Sequence, residues 1–478
     1  MAIPDPNKLW CQGPDYTISR VMPAQKENVV ASPAPSHEVG ILFDFLRFRS
    51  VSTNPEDAPQ MRACADWLCR LLASGGFKAE VAETGGHPAV LAHGPVVPGR
   101  PTVLIYGHYD VQPADPLELW TSPPFEPVIR NQRIFARGAT DNKGQILAHL
   151  LGALRTLREE GDLPVNLIFL IEGEEEVGST NLDDFIRARR NELRCDVVAV
   201  SDTGMISEGY PTLTQSLRGI AAMEVIIRGP ALDLHSGIFG GAVMNPATAL
   251  VKLLACLHDD RGRVAVPGFY DDVIAPTPAE RQALAALPVS EADTQRETGV
   301  LLLAGEEGFS SIERIGIRPT AEINGLTSGY QGEGTKTVLP ARASAKLTFR
   351  LVPNQRPERI LNLVEIHFGN MVPAGVEMEI LRGHGGLPYA IDVKSPWCGA
   401  ALRALETTFG RPPALMREGG SIPIVQTFRD LLGSATLLLG LAAPDCRAHS
   451  PDENFPVGNF EAGIRLHQNL LRELSRER

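Results

Sequence analysis

Hydrophobic positions follow two alternating spacings in the first part of the chain, from about residue 38 to 210. Two segments place apolar residues at the helical spacing, residues 58–76 (APQMRACADWLCRLLASGG) and residues 143–161 (KGQILAHLLGALRTLREEG). Between and after them lie short, continuous apolar runs that are typical of strands buried on both faces: TVLIY, VNLIFLI and CDVVAVS. This alternation predicts an α/β fold in which a mainly parallel sheet is flanked by helices.

The pattern changes after residue 212. Half-buried strands such as AAMEVIIRG and KLTFRLVP join the helical segments NPATALVKLLACLHDD and PERILNLVEIHFGNM in two βαβ-like halves, with a variable stretch at residues 259–335. These halves predict an α+β, ferredoxin-like domain. From about residue 392 the first pattern returns, so we expect residues 1–212 and 392–478 to form one domain and residues 213–391 to be inserted into it. A chain of 478 residues is long enough for two cores.

The charge and composition of the chain exclude several classes of partner. The net charge of −12 at pH 7 argues against nucleic acid and anionic lipid, which basic proteins bind. No apolar stretch reaches the ~18 residues that span a bilayer, and the N-terminus lacks a basic segment followed by an apolar one, so we expect no membrane and a cytoplasmic protein. The seven cysteines, among them Cys11, show no CxxC spacing, which favours packing roles over a thiolate metal site.

Polar residues collect where the predicted strands end. His108 and Asp110 lie two positions apart in GHYDVQP, directly after TVLIY, so their side chains point the same way in an extended chain. The other strand-end and helix-start motifs supply Asp141 in RGATDNKG, Glu174, Glu175 and Glu176 in EGEEEVGS, Asp202 in VSDTG and His449 in RAHSPDENF. Because the carboxyl ends of parallel strands meet at one edge of a sheet, we expect these groups to lie together.

Crowded carboxylates repel one another unless cations neutralise them. Carboxylates and imidazoles without thiolates suit Zn²⁺ or Mn²⁺, and two metals about 3.5–4 Å apart can share a bridging carboxylate and a water whose pKa falls to about 7. Each residue alone has a simpler interpretation. Asp141 is also typical of a helix N-cap, the glutamate run of a solvated face, and His449 of an ordinary surface or core histidine.

Five motifs occur in order along the chain, GHYDVQP, RGATDNKG, EGEEEVGS, SDTG and AHSPDE. Together they resemble the di-zinc metallopeptidases of family twenty, which include carnosinase-type dipeptidases, aminoacylases and glutamate carboxypeptidases. The resemblance covers nearly the whole chain after about residue 38, and DLHSGIFGG, TVLPARASAKLTFRLVPNQ and REGGSIP make the carnosinase-type branch especially similar. It implies a catalytic, metal-binding domain at 1–212 and 392–478, and an inserted lid at 213–391 that also forms a homodimer.

The resemblance also implies two divalent metal ions, Zn²⁺ with Mn²⁺ as the alternative. It assigns the ligands as follows: Asp141 bridges both ions, His108 and Asp202 complete one site, and Glu176 and His449 complete the other.

The same resemblance implies roles for the neighbours of these ligands. Asp110 orients the His108 ring from behind. Glu175 is the general base that takes a proton from water and hands it to the leaving amine, although the extra Glu174 leaves a one-position ambiguity in the glutamate run. The peptide bond between Asp141 and Asn142 is expected to be cis.

Further positions resemble the substrate pocket of the family. His235, in DLHSG, is expected to act in the partner subunit's active site and polarise the scissile carbonyl, and its alternative is a histidine that caps a turn. Arg350, inside the apolar strand KLTFRLV, is expected to clamp a substrate carboxylate through two hydrogen bonds, and its alternative is a buried ion pair. Lesser pocket positions are Thr337, Arg417, Gly419 and Ser421.

These inferences predict a metal-dependent hydrolase for the amide bond of dipeptides or small peptides with a free C-terminal carboxylate. An N-acyl-amino-acid deacylase or a carboxypeptidase uses the same metal chemistry and differs only in the pocket. A non-catalytic binding protein with this fold is the alternative from another class, and the retention of the base position and all five ligand positions argues against it. We expect the variable stretch at 259–335 to shape the lid.

Overall fold

The computed structural model describes residues 35–477, so Cys11 lies outside the described residues. The first part of the chain forms helices α1 (His37–Leu46), α2 (Ala58–Ser74), α3 (Lys143–Glu160) and α4 (Leu182–Ala188), and strands β1 (Lys78–Ala82), β2 (Ala89–His93), β3 (Thr102–His108), β4 (Val128–Arg130), β5 (Arg133–Phe135), β6 (Asn166–Glu172), β7 (Val197–Val200) and β8 (Thr212–Leu217). Helices α2 and α3 are the two segments with helical spacing, and β3, β6 and β7 are the three continuous apolar runs.

The second part of the chain forms an antiparallel sheet with helices around it. Its strands are β9 (Gly219–Arg228), β10 (Leu234–His235), β11 (Thr320–Ser328), β12 (Val338–Leu339), β13 (Arg342–Leu351) and β14 (Glu377–Gly386), and its helices are α5 (Ser236–Phe239), α6 (Pro246–Ala255), α7 (Pro278–Ala285), α8 (Glu291–Thr298), α9 (Ser311–Ile317) and α10 (Pro357–Met371). Helices α7, α8 and α9 lie in the variable stretch, which we refer to as the variable segment.

The last part returns to the first sheet. It forms strands β15 (Tyr389–Ala390), β16 (Ala414–Glu418), β17 (Ala435–Gly440) and β18 (Asn454–Pro456), and helices α11 (Pro396–Phe409), α12 (Pro423–Thr427) and α13 (Val457–Leu474). The chain thus leaves the large sheet after Leu217 and rejoins it at Tyr389.

The large sheet has nine strands in the order β1-β2-β6-β3-β7-β17-β8-β15, with β16 also paired to β8. Its four central strands, β6, β3, β7 and β17, are parallel to one another, whereas β6 pairs antiparallel with β2 and β17 pairs antiparallel with β8. The strands at both flanks, β1 with β2 and β8 with β15, pair antiparallel. Only six residues join β1 to β2, too few for the crossover that a parallel pair needs. The predicted α/β class with a mostly parallel centre is confirmed.

Helices α3 and α13 pack on one another over this sheet, and their buried faces include a pair of histidines. The Nδ1 atoms of His149 and His467 lie 2.9 Å apart, and His149 Nε2 lies 2.7 Å from Ser201 Oγ. Ser201 directly follows β7, so this buried polar contact supports the chain just before Asp202.

The smaller sheet has the order β11-β13-β9-β14, and the chain order β9-α6-β11-β13-α10-β14 makes it ferredoxin-like, as predicted. The apolar side chains of β9 and β13 form a second hydrophobic cluster with α6 and α10, separate from the cluster of the large sheet. Alternate positions of β13 point to the opposite, polar face of the sheet: Arg342, Ser344, Lys346, Thr348 and Arg350.

The helices of the described part of the chain, residues 35–477, offer no candidate membrane span, because none combines the required length with sufficient apolarity.

Candidate active site

The polar groups of the five motifs meet at the carboxyl ends of the central strands. His108 is the last residue of β3, and Asp202 follows β7 after one residue. Glu176 lies in a short 3-10 turn, Glu175–Val177, which follows β6. Asp141 precedes α3, and His449 lies between β17 and β18. The strand-end rule for parallel sheets therefore explains why residues up to about 340 positions apart share one edge.

Two groups of candidate metal ligands share Asp141. The first group is His108, Asp141 and Asp202, and the second is Asp141, Glu176 and His449; within each group the ligand atoms lie within 4.8 Å of one another. Asp141 Oδ1 lies 3.3 Å from His108 Nε2, whereas Asp141 Oδ2 lies 2.9 Å from His449 Nε2. The two oxygens of one carboxylate therefore face the two groups, as a bridging ligand requires.

The residues of the first group fit a metal ion by a separate observation. His108 Nε2 is buried and makes no hydrogen bond with the residues that the structure describes, although two carboxylates lie within 4 Å of it. A buried ring nitrogen without a hydrogen-bond partner is costly unless something else binds it. A set of imidazoles and carboxylates without thiolate matches the ligand preference of Zn²⁺ and Mn²⁺.

The electrostatics of the cluster show an excess of negative charge. Burial disfavours the charged form of His108, but the nearby carboxylates of Asp110, Asp141 and Asp202 outweigh burial and raise the pKa of His108 well above its ordinary value. Hydrogen bonds to Asp141 and Glu176 raise the pKa of His449 to about 10. In the protein alone, the two histidines therefore offset only part of the carboxylate charge, and divalent cations can take over that role.

Asp110 connects the first ligand to the glutamate turn. Its Oδ1 lies 3.3 Å from His108 Nδ1, and its two carboxylate oxygens accept hydrogen bonds from the backbone N–H groups of Glu175 (3.2 Å) and Glu176 (3.1 Å). A proton on His108 Nδ1 leaves Nε2 free to bind a metal. Asp110 thus orients the ring and also fixes the turn that carries the proposed base.

The glutamate run places its first two side chains in different surroundings. Asn181 Nδ2 donates to both carboxylate oxygens of Glu174, at 3.1 and 2.9 Å. Burial raises the pKa of Glu175, the nearby charge of His108 lowers it, and the carboxylates of the ligand cluster raise it further, so that it lies well above its usual value. The charges of the ligand cluster therefore act on the Glu175 carboxylate, whereas the side-chain amide of Asn181 holds the Glu174 carboxylate. This difference favours Glu175 in the one-position ambiguity.

Sequence reasoning missed Glu453, which belongs to the same motif as His449. Its carboxylate is fully buried: Oε1 accepts from the backbone N–H groups of Thr140 (2.9 Å) and Asp141 (3.0 Å), and Oε2 accepts from Gly138 N (2.9 Å) and Arg137 Nη1 (2.7 Å). One buried carboxylate thus holds the loop of the shared ligand. A charged residue inside an otherwise explained motif was the available signal.

Two smaller features support the other ligands. Asn142 Nδ2 donates to Asp202 Oδ1 at 2.7 Å, and the peptide bond between Asp141 and Asn142 is cis, as the family resemblance implies. Half-buried Glu418, which sequence reasoning also missed, accepts from Gly204 N at 2.9 Å and so supports the loop that carries Asp202. His449 has a φ of 62°, which is a left-handed backbone conformation that residues other than glycine rarely adopt. Such conformations are often found at functional sites.

Arg350 has no acidic partner within ion-pair distance among residues 35–477, so the alternative of a buried ion pair is wrong. Its Nη1 donates to Ser421 Oγ at 3.1 Å.

Two further predicted pocket positions make contacts of their own. The carbonyl oxygen of Gly419 accepts from the guanidinium of Arg218 at 3.2 Å. Arg417 forms an ion pair of 2.6 Å with Glu280 of α7, so this arginine ties the variable segment to β16.

His235 and Thr337 lie on a small ribbon of the second sheet region, where β10 pairs with β12. His235 is exposed, and its Nδ1 accepts a hydrogen bond from Gly237 N at 3.0 Å, so the turn-capping alternative is present in the structure. In the part of the chain that the structure describes, no hydrogen bond or ion pair joins His235 to the ligand cluster. The structure therefore brings the five candidate ligands, Asp110 and Glu175 together, whereas His235 and Thr337 belong to neither candidate ligand group.

Known proteins of similar sequence and structure identify the family of the chain. Residues 104–473 match the profile of peptidase family M20/M25/M40. The Cys-Gly metallodipeptidase of Schizosaccharomyces pombe is 33% identical over 444 residues, which span 89% of this chain and 93% of that protein. The Beta-Ala-His dipeptidase of Homo sapiens is 32% identical over 395 residues, which span 81% of this chain and 78% of that protein.

Two solved structures share the whole architecture. The M20 family metallo-carboxypeptidase Sso-CP2 of Sulfolobus solfataricus superposes with a TM-score of 0.81, at 33% identity, over 92% of this chain and 100% of that one. Human carnosine dipeptidase 1 superposes with a TM-score of 0.78, at 28% identity, over 92% of this chain and 96% of that one. The family resemblance predicted from the five motifs is thereby confirmed. The chain is an enzyme of the peptidase class and belongs to peptidase family M20/M25/M40.

Proposed function

We propose that the protein hydrolyses the amide bond of dipeptides or small peptides with a free C-terminal carboxylate, with two divalent metal ions per chain. The observation that carries the proposal is the pair of ligand groups that share Asp141, with Glu175 beside them. The relatives named above as dipeptidases support the substrate class. Zn²⁺ is the ion we propose, with Mn²⁺ as the alternative, because the ligands are imidazoles and carboxylates.

In the proposed mechanism, His108, Asp141 and Asp202 would hold one ion, and Asp141, Glu176 and His449 would hold the other. When bound, such a metal pair supplies Lewis-acid polarisation of the scissile carbonyl and lowers the pKa of water. Glu175 accepts the proton of the attacking water and returns it to the leaving amine nitrogen, and its raised pKa suits both halves of that relay.

Substrate orientation is assigned to residues outside the ligand cluster. The Arg350 guanidinium, which lacks an acidic partner, binds the C-terminal carboxylate, and Ser421 fixes the guanidinium through its hydroxyl. Thr337, Arg417 and Gly419 complete the proposed pocket. Arg417 acts there through its ion pair with Glu280 of α7.

We further propose a homodimer in the cytoplasm, with 213–391 as the lid and dimerisation domain and 1–212 with 392–478 as the catalytic domain. The separate hydrophobic clusters of the two sheets support this division. His235 then polarises the scissile carbonyl in the partner subunit's site, which agrees with its exposure and with its absence from both candidate ligand groups of its own chain. Mixing inactive His235→Ala and Glu175→Gln proteins is expected to restore part of the activity in heterodimers. A monomeric but active enzyme would refute the dimer.

A panel of dipeptides, N-acyl amino acids and longer peptides tests the function. Cys-Gly and β-Ala-His belong in the panel because the named relatives act on them. We expect release of free amino acid from dipeptides, and loss of that release with a chelator. Hydrolysis confined to N-acyl amino acids or to longer peptides would favour the deacylase or the carboxypeptidase. A protein that hydrolyses no member, with or without added metal, would support a non-catalytic binding role.

A further inference from the structure

A cavity of about 640 Å³ lies between the polar face of the smaller sheet and the variable segment. Thr348 and Arg350 of β13 and Glu322 of β11 form its floor, Arg318 contributes from the variable segment, and Arg218 lies at its edge, between β8 and β9. This size accommodates a substrate residue with its side chain.

Arg218 lies beside Arg350 in this cavity. Ser421 Oγ accepts from Arg350 Nη1 and donates to the backbone oxygen of Arg218 at 2.5 Å, so a single hydroxyl connects the two residues. The Arg218 guanidinium donates to backbone oxygens only, those of Gly419 (3.2 Å), Arg318 (3.2 Å) and Arg314 (3.5 Å). These acceptors orient the side chain but do not neutralise its charge.

Four arginines line the cavity, and one of them, Arg318, shows how a neutralised guanidinium is held in the same surroundings. Arg318 forms two hydrogen bonds of 2.7 Å to the carboxylate of Glu306, and both side chains are buried. Neither Arg218 nor Arg350 takes part in an ion pair with the residues that the structure describes. Glu322 is exposed and lies beyond ion-pair distance of Arg218, although its charge favours the charged form of that arginine.

Two unneutralised guanidinium groups in partly buried surroundings are unfavourable. Burial, and then the like charge of Arg350, lower the pKa of Arg218 to about 10, and burial lowers the pKa of Arg350 as well. An anion bound between them would offset both effects, and a planar guanidinium binds a carboxylate through two parallel hydrogen bonds.

We propose that this cavity holds the C-terminal residue of the substrate and that Arg218 is a specificity-determining residue for an acidic side chain at that position. A C-terminal glutamate or aspartate carries two carboxylates, one for Arg350 and one for Arg218. The inference rests on the proposed function, because Arg350 binds the main-chain carboxylate there. It adds the class of side chain that the enzyme prefers.

The test compares kcat/KM for Ala-Glu and Ala-Gln, which have the same shape and differ in one charge. We expect the wild-type, metal-loaded enzyme to favour Ala-Glu by at least about tenfold, the scale of one desolvated charge pair. Arg218→Met is expected to bring the ratio close to one, and Glu322→Gln to raise it, because a competing negative charge is removed. Arg342→Met is the matched control: Arg342 lies on the same face of β13, outside the cavity and paired with Glu224, so the ratio is expected to stay unchanged.

Calorimetric binding of free glutamate and free glutamine to metal-free protein provides a readout that needs no turnover. We expect glutamate to bind more tightly, and Arg218→Met to abolish the difference. If Arg218→Met unfolds, the opposite shift expected of Glu322→Gln still decides. Equal kcat/KM values for the two dipeptides, or equal binding of the two amino acids, would overturn the acidic preference while dipeptide hydrolysis leaves the proposed function intact. Failure to hydrolyse any dipeptide, with glutamate still bound more tightly, would instead overturn the proposed function.

Discussion

The ligand cluster of the large sheet and the cavity of the smaller sheet carry opposite unbalanced charges. In the cluster, three aspartates and a glutamate lie around two histidines, and buried groups such as Glu453 fix the loops that carry them. In the cavity, Arg218 and Arg350 lie side by side without an ion-pair partner among the residues that the structure describes, and Glu322 of the floor lies beyond ion-pair distance of Arg218. The two histidines offset only part of the carboxylate charge of the cluster, and the two arginines have no acidic partner within ion-pair distance among the described residues. Such regions are built for a charged ligand, a cation in one and an anion in the other.

The largest expected effect comes from removing the shared ligand. Asp141→Ala takes away an oxygen from each ligand group, so we expect both metal ions and all activity to be lost. His108→Ala removes a ligand of one group only and is expected to weaken chiefly that site. Metal analysis of the purified variants measures the difference, against about two ions per wild-type chain. A wild-type hydrolase that contains no metal and resists chelation would contradict the proposal.

The next effect separates the base from the ligands. Glu175→Gln is expected to keep the metal content and to lower kcat by at least about 10²-fold, because an amide cannot accept the proton of water. Glu174→Gln is the matched control, since Asn181 holds that side chain, and it is expected to stay near wild type. Steady-state kinetics with metal analysis measures both. An inactive Glu174→Gln beside an active Glu175→Gln would mean that the base lies one position earlier.

In the cavity of the smaller sheet, Arg350→Ala is expected to leave the metal content intact. It is expected to weaken transition-state binding of a free-carboxylate dipeptide by roughly 2–5 kcal/mol, because a buried charge pair is lost. The amide of the same dipeptide lacks the carboxylate and is expected to be a poor substrate of both proteins. The measurement is kcat/KM for the two substrates with the two enzymes. Arg350→Lys is expected to restore little, since a point charge cannot reproduce the planar fork. Additive losses would mean that the carboxylate binds elsewhere.

A smaller effect is expected from the group that fixes the ligand loop. Glu453→Gln replaces an acceptor oxygen with an N–H₂ donor that faces backbone N–H groups, so we expect metal affinity to fall about 10–100-fold. Competition with a chelator of known affinity measures this change. Asp445→Asn is the control, because Asp445 lies on the same connection between β17 and β18 as Glu453 but is exposed and pairs with Arg133. Unchanged metal affinity in Glu453→Gln, with lower thermal stability, would reduce Glu453 to a structural role.

How much the sequence could predict follows from where each residue's partners lie. His108 and Asp202 end continuous apolar strands, and parallel strand ends meet by a general rule, so the edge that carries the site was predictable. Arg218 has only backbone groups as partners, and three of the four hydrogen bonds that Glu453 accepts come from backbone groups more than 300 positions away. Backbone groups leave no trace in the side-chain pattern, so neither interaction could be inferred.

The helices of the variable segment show a different kind of miss. Helix α8 reads EADTQRET and has no buried residue, so hydrophobic spacing carries no signal for it. The signals that were present are the capping boxes at the helix starts, Thr277 with Glu280 and Ser290 with Asp293. A search for capping pairs would have found helices that a search for apolar stripes missed.

The buried histidine pair between α3 and α13 makes the stability of the folded protein depend on pH in the acid range. Burial lowers the pKa of His149 to about 4, and burial followed by the charge of His149 lowers the pKa of His467. As the pH falls below about 6.5, the unfolded chain binds protons that the folded chain refuses, so stability is lost until the folded pKa is reached, by about 3 kcal/mol for His149. Urea unfolding of metal-free protein at pH 7 and pH 5 measures the slope, and the double variant His149→Gln, His467→Gln is expected to flatten it. The His149–His467 contact, which supports the chain just before Asp202, thus also limits how low the pH can fall while the two long helices stay packed together.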